Sequence, residues 1–188
     1  MKVVVISGSP QKTGKTPVLM KYIIEYLKSD TSPSVGSDDV KFINLSEGNI
    51  DYYRGPQENY NDATKIAAQN IMDADIWFIG TPIYNSFFSA ALKNLFEYVD
   101  YKKTEGKVAG LVILASGNIG FTDVQTLLTQ LMSYFKVITY PRPAFVTADT
   151  IENNEITSDD VKNRLMKLVD ETILLGVRTQ EARDYAKM

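Results

Sequence analysis

The residues best suited to chemistry lie in three polar loops, each of which follows a short apolar run. The first loop, GSPQKTGKT (8–16), combines hydroxyl and ammonium side chains with two glycines and precedes a helical pattern. A helix that begins at the end of such a loop offers backbone N–H groups and the positive end of its dipole to an anion. The loop therefore indicates binding of one terminal phosphate, and the alternative is an ordinary turn with polar side chains in solvent.

The end of the first loop, TGKT, raises the question of a nucleoside triphosphatase. Those enzymes need the spacing G-x-x-x-x-G-K-[ST], but position 9 is Ser, and Gly8 comes one residue too early. Pro17 also removes a backbone donor just inside the helix. The two later apolar runs end in Gly-Thr and Ala-Ser, so neither supplies a carboxylate for magnesium. A triphosphatase is disfavoured, and nucleotide binding through the GKT residues stays an alternative.

The second and third loops have the residues to hold a flat aromatic ligand, which needs apolar walls and a few fixed hydrogen bonds. In TPIYNSFFS (81–89), the backbone N–H groups of 83–86 and the Tyr84 ring could supply these, although Phe87 and Phe88 are equally explained as core residues. The third loop, SGNIG, has two glycines that permit close backbone approach. Taken alone, it is most simply explained as an ordinary turn.

The composition excludes several classes of protein. The 188 residues include no histidine and no cysteine, so the common general base, thiol nucleophile and zinc ligands are missing. A Ser-His-Asp hydrolase and a zinc hydrolase are excluded, and we expect no metal site. The net charge of −3 disfavours a nucleic-acid partner. No signal peptide and no membrane-spanning run is recognisable, so we expect a soluble, cytoplasmic protein that contacts no membrane.

The elements that must position the loops alternate along the chain. Apolar runs predict strands, and helical periodicity predicts helices. We expect Thr16 to be the N-cap of the first helix and Pro17 its first residue. Gly176 is expected to kink or end the last helix. Residues 29–38 are expected to form a polar loop. The expected strands are 3–6, 40–45, 75–80, 107–116 and 137–146, and the expected helices follow Thr16, span 63–72, 90–99 and 122–135, and begin near Ser158.

Five strands separated by helices imply a parallel sheet covered on both faces. The expected fold class is α/β: a flavodoxin-like three-layer sandwich with a five-stranded parallel sheet in the order 2-1-3-4-5, built as a single domain over 1–188. Pro141 and Pro143 place the fifth strand at an edge, which fits this order. The three loops then meet at the carboxyl edge, where open parallel sheets bind ligands.

Together, the three loops resemble those of the NADPH-dependent FMN reductase family of flavodoxin-like proteins. GSPQKTGKT is similar to the family's G-S-P-R-K-x-G-N-T loop, and TPIYNSFFSAALKNLFEYVD to its T-P-x-Y-N-x-x-x-x-x-x-L-K-N-x-x-D pattern. GKVAGLVILASGNIGF is similar to its fourth strand and glycine loop. The resemblance spans about residues 1–125, and the second motif is the most specific of the three.

The resemblance implies non-covalently bound FMN and NAD(P)H as cofactors. The residues it assigns are Ser9, Gln11, Lys15 and Thr16 at the phosphate, Pro82, Ile83, Tyr84, Asn85 and Ser86 along the isoalloxazine, and Gly117 and Asn118 on its other side. The family usually has Arg in place of Gln11 and Asn in place of Lys15. One cation is thus lost and another gained, so phosphate binding is retained with an affinity that the sequence does not fix.

The resemblance also implies an activity and an assembly. NAD(P)H reduces FMN and leaves, and a small-molecule acceptor (a flavin, a quinone or an azo dye) then takes two electrons. Flavin N5 carries the chemistry, so no side chain is assigned as catalytic. The implied assembly is a homodimer or homotetramer, with the apolar face of helix 90–99 as a candidate contact, although burial against its own sheet explains the same residues.

The long polar loop 46–62 contains Tyr52, Tyr53, Arg54 and Tyr60. A long loop in a domain of this size is often functional. We expect it to wall the active site or to reach a partner subunit, with Arg54 a candidate for a phosphate of the nicotinamide nucleotide. The alternative is a mobile, solvated loop.

Three alternatives to the reductase differ from it in function. A flavodoxin-type electron-transfer protein would bind FMN without reacting with a nicotinamide, and the modest net charge and the SPQKTGKT loop count against it. A P-loop-like nucleotide-binding protein would use the GKT residues. A scaffold with a vestigial site would bind neither ligand.

Overall fold

The computed structural model describes residues 1–29, 36, 39–186 and 188, so the expected polar loop 29–38 lies outside the described residues except at Ser29 and Gly36. The strands are β1 (Val3–Ser7), β2 (Val40–Asn44), β3 (Ile76–Tyr84), β4 (Phe87–Phe88), β5 (Val108–Ala115), β6 (Ile138–Thr139), β7 (Ala144–Thr147), β8 (Ile151–Glu152) and β9 (Glu155–Ile156). The helices are α1 (Thr16–Lys28), α2 (Asp62–Asp73), α3 (Ala90–Phe96), α4 (Phe121–Tyr134) and α5 (Asp159–Ala186).

The central sheet confirms the flavodoxin-like fold. Its parallel strands lie in the order β2-β1-β3-β5, and both β6 and β7 pair with the outer side of β5. The chain order differs slightly from 2-1-3-4-5 because β4 is an additional hairpin strand on β3 and the expected fifth strand is split in two. The split falls at Pro141 and Pro143, since a proline has no N–H to donate to the ladder.

The helices cover both faces of the sheet and give the expected three layers. Alternate residues of β1 point to opposite faces, with Val4 and Ile6 in one core cluster and Val3 and Val5 in the other. Helices α2, α3 and α4 pack on the first face, and α1 and α5 pack on the second. Both faces of β1 are therefore buried, which explains its continuous run of apolar residues.

Two predictions about helix ends are wrong. Helix α1 begins at Thr16 itself, and the N-cap is Lys15, whose side chain makes no capping hydrogen bond. Helix α5 continues through Gly176 to Ala186, so the expected end at Gly176 is wrong, and the alternative of a kink there stays a prediction. The glycine is needed for packing, because a Cβ at Gly176 would lie 2.7 Å from Cδ1 of Ile76 in β3. No described helix has both the length and the apolar character that a membrane crossing requires.

Candidate active site

The first and second loops are fixed to each other where they leave the sheet. Strands β1, β3 and β5 are parallel neighbours, so the loops that follow them emerge at one edge. The Gly8 N–H donates to the Gly80 carbonyl at 2.7 Å, and a Cβ at Gly8 would lie 2.7 Å from that same oxygen. Ser89 Oγ, beyond the second loop, donates to the Gly8 carbonyl. This close approach requires glycine at position 8.

The first loop winds around the buried hydroxyl of Ser9. Ser9 Oγ accepts a hydrogen bond from the Gln11 N–H at 3.3 Å, and the Gly14 N–H donates to the Gln11 carbonyl at 3.0 Å. A Cβ at Gly14 would lie 2.7 Å from Ser9 Oγ, so the second glycine of the loop permits this turn. The side chain of Gln11 is exposed.

Several donors of the first loop have no acceptor within the described part of the chain. These are the backbone N–H groups of Lys12, Thr13, Lys15 and Thr16, none of which donates to a described protein atom. The Thr16 hydroxyl is buried and also lacks a hydrogen-bond partner. Convergent N–H groups at the start of a helix form an anion-binding concavity, so this set suits a phosphate group.

The side chain of Lys15 does not lie free beside those donors. Its Nζ donates to the carbonyl of Ala148 at 2.6 Å, in the turn that follows β7. The ammonium group thus connects the first loop to the outer part of the sheet. The expected contact between Lys15 and a phosphate stays a prediction, for which the Lys15 backbone N–H is the available donor.

The second loop is a β-hairpin, which corrects the expectation that the strand ends at residue 80. Strand β3 continues to Tyr84 and returns as β4 through a turn of two residues, Asn85 (φ 50°) and Ser86 (φ 63°). Positive φ at both central residues defines a type I′ turn, whose twist matches that of the flanking strands. The N–H groups of Asn85 and Ser86 have no acceptor among the described residues.

The two phenylalanines of this hairpin have different environments. Phe88 is partly buried and packs against the cluster that contains Leu92, so the core interpretation is correct for this residue. Phe87 is 56% exposed. Pro82 is buried, and Ile83 and Tyr84 are partly buried. The hairpin therefore presents one large apolar side chain at the carboxyl edge.

The third loop contacts the second. Gly120, the N-cap of α4, has a φ of 86°, and a Cβ there would lie 3.4 Å from Cγ2 of Ile83. Gly117 and Asn118 are exposed, and the N–H groups of 117–119 have no acceptor within residues 1–29 and 39–186. The neighbouring Ile119 is 85% exposed. The structure thus links the first loop to the second and the second to the third.

The long loop 46–62 makes hydrogen bonds to α3 and to the residues that follow it, and the mobile, solvated alternative stays untested. The Asp51 carbonyl accepts hydrogen bonds from Asn94 Nδ2 and the Tyr98 hydroxyl, both at 2.7 Å. The Tyr53 N–H donates to Asn94 Oδ1 at 2.9 Å. These bonds connect a polar segment without long helices or strands to the rest of the fold.

Three tyrosine rings complete this anchor. Tyr60 and Tyr53 both meet Tyr98 edge to face, with ring centroids 4.8 and 5.2 Å apart. Burial raises the pKa of Tyr98 to about 12, and the neighbouring Tyr60 and Asp51 add to the shift. Arg54 is exposed and Tyr52 is 84% exposed, so the loop presents both side chains to solvent. Its expected role at the active site stays a prediction.

Comparison with known proteins decides the family. The family model described as NADPH-dependent FMN reductase matches residues 1–151. The chain belongs to this family. It is 27% identical over 175 residues to an NAD(P)H-dependent FAD/FMN reductase of Geobacillus thermodenitrificans (strain NG80-2), covering 92% of each chain. It is 29% identical over 121 residues to an NADPH azoreductase of Bacillus sp. (strain OY1-2), covering 64% of this chain and 62% of the relative.

A solved structure supports the same fold. The flavoenzyme NAD(P)H:(acceptor) oxidoreductase of Paracoccus denitrificans superposes with a TM-score of 0.74 at 19% identity, covering 95% of this chain and 98% of that one.

The family model and the relatives confirm the expected reductase family, enzyme class and cofactors: the protein is an oxidoreductase that uses FMN and NAD(P)H. The flavodoxin and nucleotide-binding alternatives are disfavoured.

Proposed function

We propose that the three loops bind one FMN and that the protein passes reducing equivalents from NAD(P)H through it to a small-molecule acceptor. The observation that carries this assignment is the set of backbone N–H groups without protein acceptors in all three loops, at one edge of the sheet. Except at the buried Thr16, these groups belong to exposed residues and are therefore accessible to a ligand. A ligand with a phosphate and a polar-edged ring supplies acceptors for all of them.

The phosphate end of FMN is assigned to Ser9, Gln11, Lys15 and Thr16. Thr16 supplies its N–H and its buried, unpartnered hydroxyl. Lys15 supplies its N–H, while its ammonium group fixes the loop to Ala148 and adds positive charge nearby. Ser9 holds the loop in shape through its bond from the Gln11 N–H. The dipole of α1 adds to the attraction for a dianion.

The ring end is assigned to Pro82, Ile83, Tyr84, Asn85 and Ser86 on one side and to Gly117 and Asn118 on the other. The N–H groups of Asn85 and Ser86 are held in place by the hairpin and are available to the polar rim of the ring. Thr81 Oγ1 accepts the Ser89 N–H at 3.1 Å and closes the base of that hairpin. The glycine at 117 leaves room for close approach, since a Cβ there would meet no atom within 4 Å.

FMN, held by the residues of the three loops, would supply the redox chemistry between NAD(P)H and the acceptor. The chain contributes position and electrostatics, which explains how a protein without histidine or cysteine can be a redox enzyme. N–H groups fixed in the hairpin and the glycine loop stabilise negative charge on the ring at no reorganisation cost. We infer a ping-pong cycle in which donor and acceptor use the same face of the ring.

The acceptor is proposed to be a flavin, a quinone or an azo compound. Phe87 and Ile119 are exposed at the edge where the second and third loops lie, and they offer an apolar surface to a flat acceptor. A relative named as an azoreductase supports the inclusion of azo compounds. Arg54 and Tyr52 are proposed to contact the nicotinamide nucleotide or the acceptor from the anchored loop.

A homodimer or homotetramer in the cytoplasm completes the proposal. The sequence-based candidate contact, the apolar face of helix 90–99, is buried against its own sheet at Leu92, Leu95 and Phe96. An assembly must therefore use other residues. Tyr101 and Tyr134, whose ring centroids lie 5.6 Å apart, are both exposed and offer such a surface.

A titration tests the proposal directly. FMN added to the flavin-free protein should bind with one site per chain and quench the flavin fluorescence. Anaerobic addition of NADPH or NADH should then bleach the visible absorbance of the bound flavin, and a quinone should restore it. A protein that binds no FMN, or binds it without bleaching, would contradict the assigned site or the assigned reaction respectively.

A further inference from the structure

A wide cleft lies on the outer side of the first loop, away from the flavin ring loops. Its volume is about 660 Å³, within the range of pockets that hold small organic ligands. One wall is the first loop at Lys12, Thr13 and Gly14, and the adjoining wall is the outward face of α1 at Lys21 and Tyr22. The side chains of Lys12, Thr13, Lys21 and Tyr22 are not among the groups assigned to FMN, whose phosphate takes only the backbone N–H groups of Lys12 and Thr13.

The third wall of the cleft is an anchored hairpin. Strands β8 and β9 are joined by Asn153 (φ 48°) and Asn154 (φ 62°), and residues 154–156 line the cleft. The bond from Lys15 Nζ to Ala148 ties the segment before this hairpin to the first loop. The Thr157 N–H donates to the Thr150 carbonyl at 2.9 Å and closes the hairpin base. The cleft is thus bounded by fixed backbone.

Three lysines and two glutamates line the cleft, and two of the lysines make no ion pair with a described residue. The Lys12 and Lys21 side chains are exposed, and neither makes a hydrogen bond or an ion pair with a described residue. Lys162 also lines the cleft but is paired with Asp159 at 3.3 Å. The ammonium groups of Lys12 and Lys21 are thus available to an anion in the cleft. A phosphate group matches this set.

The rest of the lining suits a nucleoside. Tyr22 packs against the core with part of its ring and leaves part accessible in the cleft, which suits stacking of a purine. Glu25 and Glu155 are exposed carboxylates on the walls. A carboxylate accepts hydrogen bonds from the hydroxyls of an unsubstituted ribose and repels a phosphate at that position. The lysine ammonium groups, the Tyr22 ring and the two carboxylates together match the phosphate, the purine and the ribose of an adenosine phosphate.

We propose that this cleft binds the adenosine phosphate half of a dinucleotide. The proposal rests on the proposed function, because the flavin half of FAD would occupy the FMN site, whereas the nicotinamide half of NADH would lie against bound FMN. FAD and NADH both carry this chemistry. Contiguity favours FAD, since the loop assigned to the FMN phosphate is itself a wall of the cleft, and a pyrophosphate extending past that loop enters it.

The test compares dissociation constants of FAD, FMN and AMP for the wild-type protein, Lys21→Gln and the matched control Lys28→Gln. Lys28 is an exposed lysine on the last turn of the same helix and does not line the cleft. We expect AMP to bind FMN-loaded protein and to compete with the adenosine half of FAD. Lys21→Gln should weaken FAD relative to FMN about fivefold, the effect of one partly exposed charge-assisted contact. Lys28→Gln should leave that ratio within twofold of wild type.

The measurements distinguish FAD from NADH as the source of the bound adenosine phosphate. If the adenosine belongs to NADH, Lys21→Gln raises the KM for NADH about fivefold with kcat unchanged, and the FAD-to-FMN ratio stays constant. If AMP does not bind and neither ratio changes in Lys21→Gln, the cleft is not a nucleotide site and the proposal is overturned. AMP is also titrated against flavin-free protein. This titration shows whether the cleft binds AMP even if FMN fails to bind and the proposed function is wrong.

Discussion

At the scale of single residues, the first loop divides its hydroxyl groups between structure and binding. Ser9 Oγ accepts the Gln11 N–H and shapes the loop, whereas Thr16 Oγ1 is buried without a partner in the described part of the chain. An unsatisfied buried hydroxyl costs about 1–3 kcal/mol. That cost is offset when a phosphate oxygen accepts from Thr16, which makes this hydroxyl the most direct test of the phosphate site.

Replacing Thr16 with valine removes the hydroxyl and keeps the shape. We expect Thr16→Val to weaken FMN binding about tenfold, which corresponds to the loss of one charge-assisted hydrogen bond of about 1.4 kcal/mol. The free energy of unfolding of the flavin-free protein should stay equal or rise, because the orphaned hydroxyl is gone. Fluorescence titration and urea unfolding measure the two quantities.

Thr126→Val is the matched control, because Thr126 lies exposed on α4, away from the first loop. It should leave FMN affinity within twofold of wild type. Equal affinity for FMN in Thr16→Val and in the wild type would rule out a phosphate bonded to this hydroxyl.

At the scale of elements, the β3–β4 hairpin holds strain where it meets the proposed ligand. Asn85 and Ser86 both have positive φ, a region that costs a residue with a Cβ about 1–2 kcal/mol. Such strain persists only where the surrounding structure maintains it, and it is common at binding sites. Here the ladder of β3 with β5 and the Thr81–Ser89 hydrogen bond hold the turn.

We expect Ser86→Gly to raise the free energy of unfolding by about 1 kcal/mol, because glycine adopts positive φ without steric cost. FMN affinity should change less than twofold, since the backbone N–H is retained. Asn153→Gly, in the hairpin between β8 and β9, is the control for the turn type. Its free energy of unfolding should rise less than that of Ser86→Gly, because Asn tolerates positive φ better than Ser. Urea unfolding measures both variants, and a destabilised Ser86→Gly would contradict the strain argument.

The anchored loop 46–62 gives a second test at this scale. Tyr98→Phe removes the hydroxyl that donates to the Asp51 carbonyl at 2.7 Å. We expect a loss of about 1 kcal/mol of unfolding free energy, together with faster proteolysis within 51–60. Unchanged stability and unchanged cleavage would show that the ring contacts alone hold the loop.

The raised pKa of Tyr98 also predicts a dependence on pH. The folded pKa of about 12 exceeds the ordinary value of 10.0. The unfolded chain therefore loses this proton first as the pH rises, so its stabilising contribution is present below pH 10 and lost as the pH approaches 12. The fall in stability over that window should be smaller in Tyr98→Phe than in the wild type.

At the scale of the whole molecule, the parallel sheet brings together loops that are far apart in sequence. Val3, Ile76 and Val108 lie side by side on adjacent parallel strands, so the three following loops leave the sheet at the same edge. A ligand that bridges these loops binds only the folded state. It should therefore stabilise the entire fold rather than one segment.

FMN at about 100 times its dissociation constant should add about 2.7 kcal/mol to the free energy of unfolding. For a domain of this size that corresponds to a rise in Tm of about 5–10 °C. Riboflavin, which lacks the phosphate, should raise Tm far less at the same concentration. Equal shifts with FMN and riboflavin would place the binding energy outside the first loop, and differential scanning calorimetry distinguishes the cases.

Local patterns in the chain were sufficient for the fold and the family. Continuous β-branched residues such as Val3–Val5 can only be buried on both faces, and alternation of such runs with helical periodicity leaves few topologies. The absence of histidine and cysteine excluded Ser-His-Asp hydrolases, zinc hydrolases and enzymes with a thiol nucleophile. The three loops carried the family resemblance because a bound cofactor needs specific residues at specific spacing.

Other features depended on contacts between distant residues, which no local pattern encodes. The hairpin that lengthens β3, the bond from Lys15 to Ala148, and the packing that keeps α5 helical through Gly176 all belong to this group. The tyrosine anchor of loop 46–62 and the cleft beside α1 also join segments far apart in the chain. The sequence determined which hydrogen-bonding groups the loops contain. The tertiary structure decided which of these groups bond to the protein itself and which remain available to a ligand, because hydrogen-bond partners are fixed only once the chain is packed.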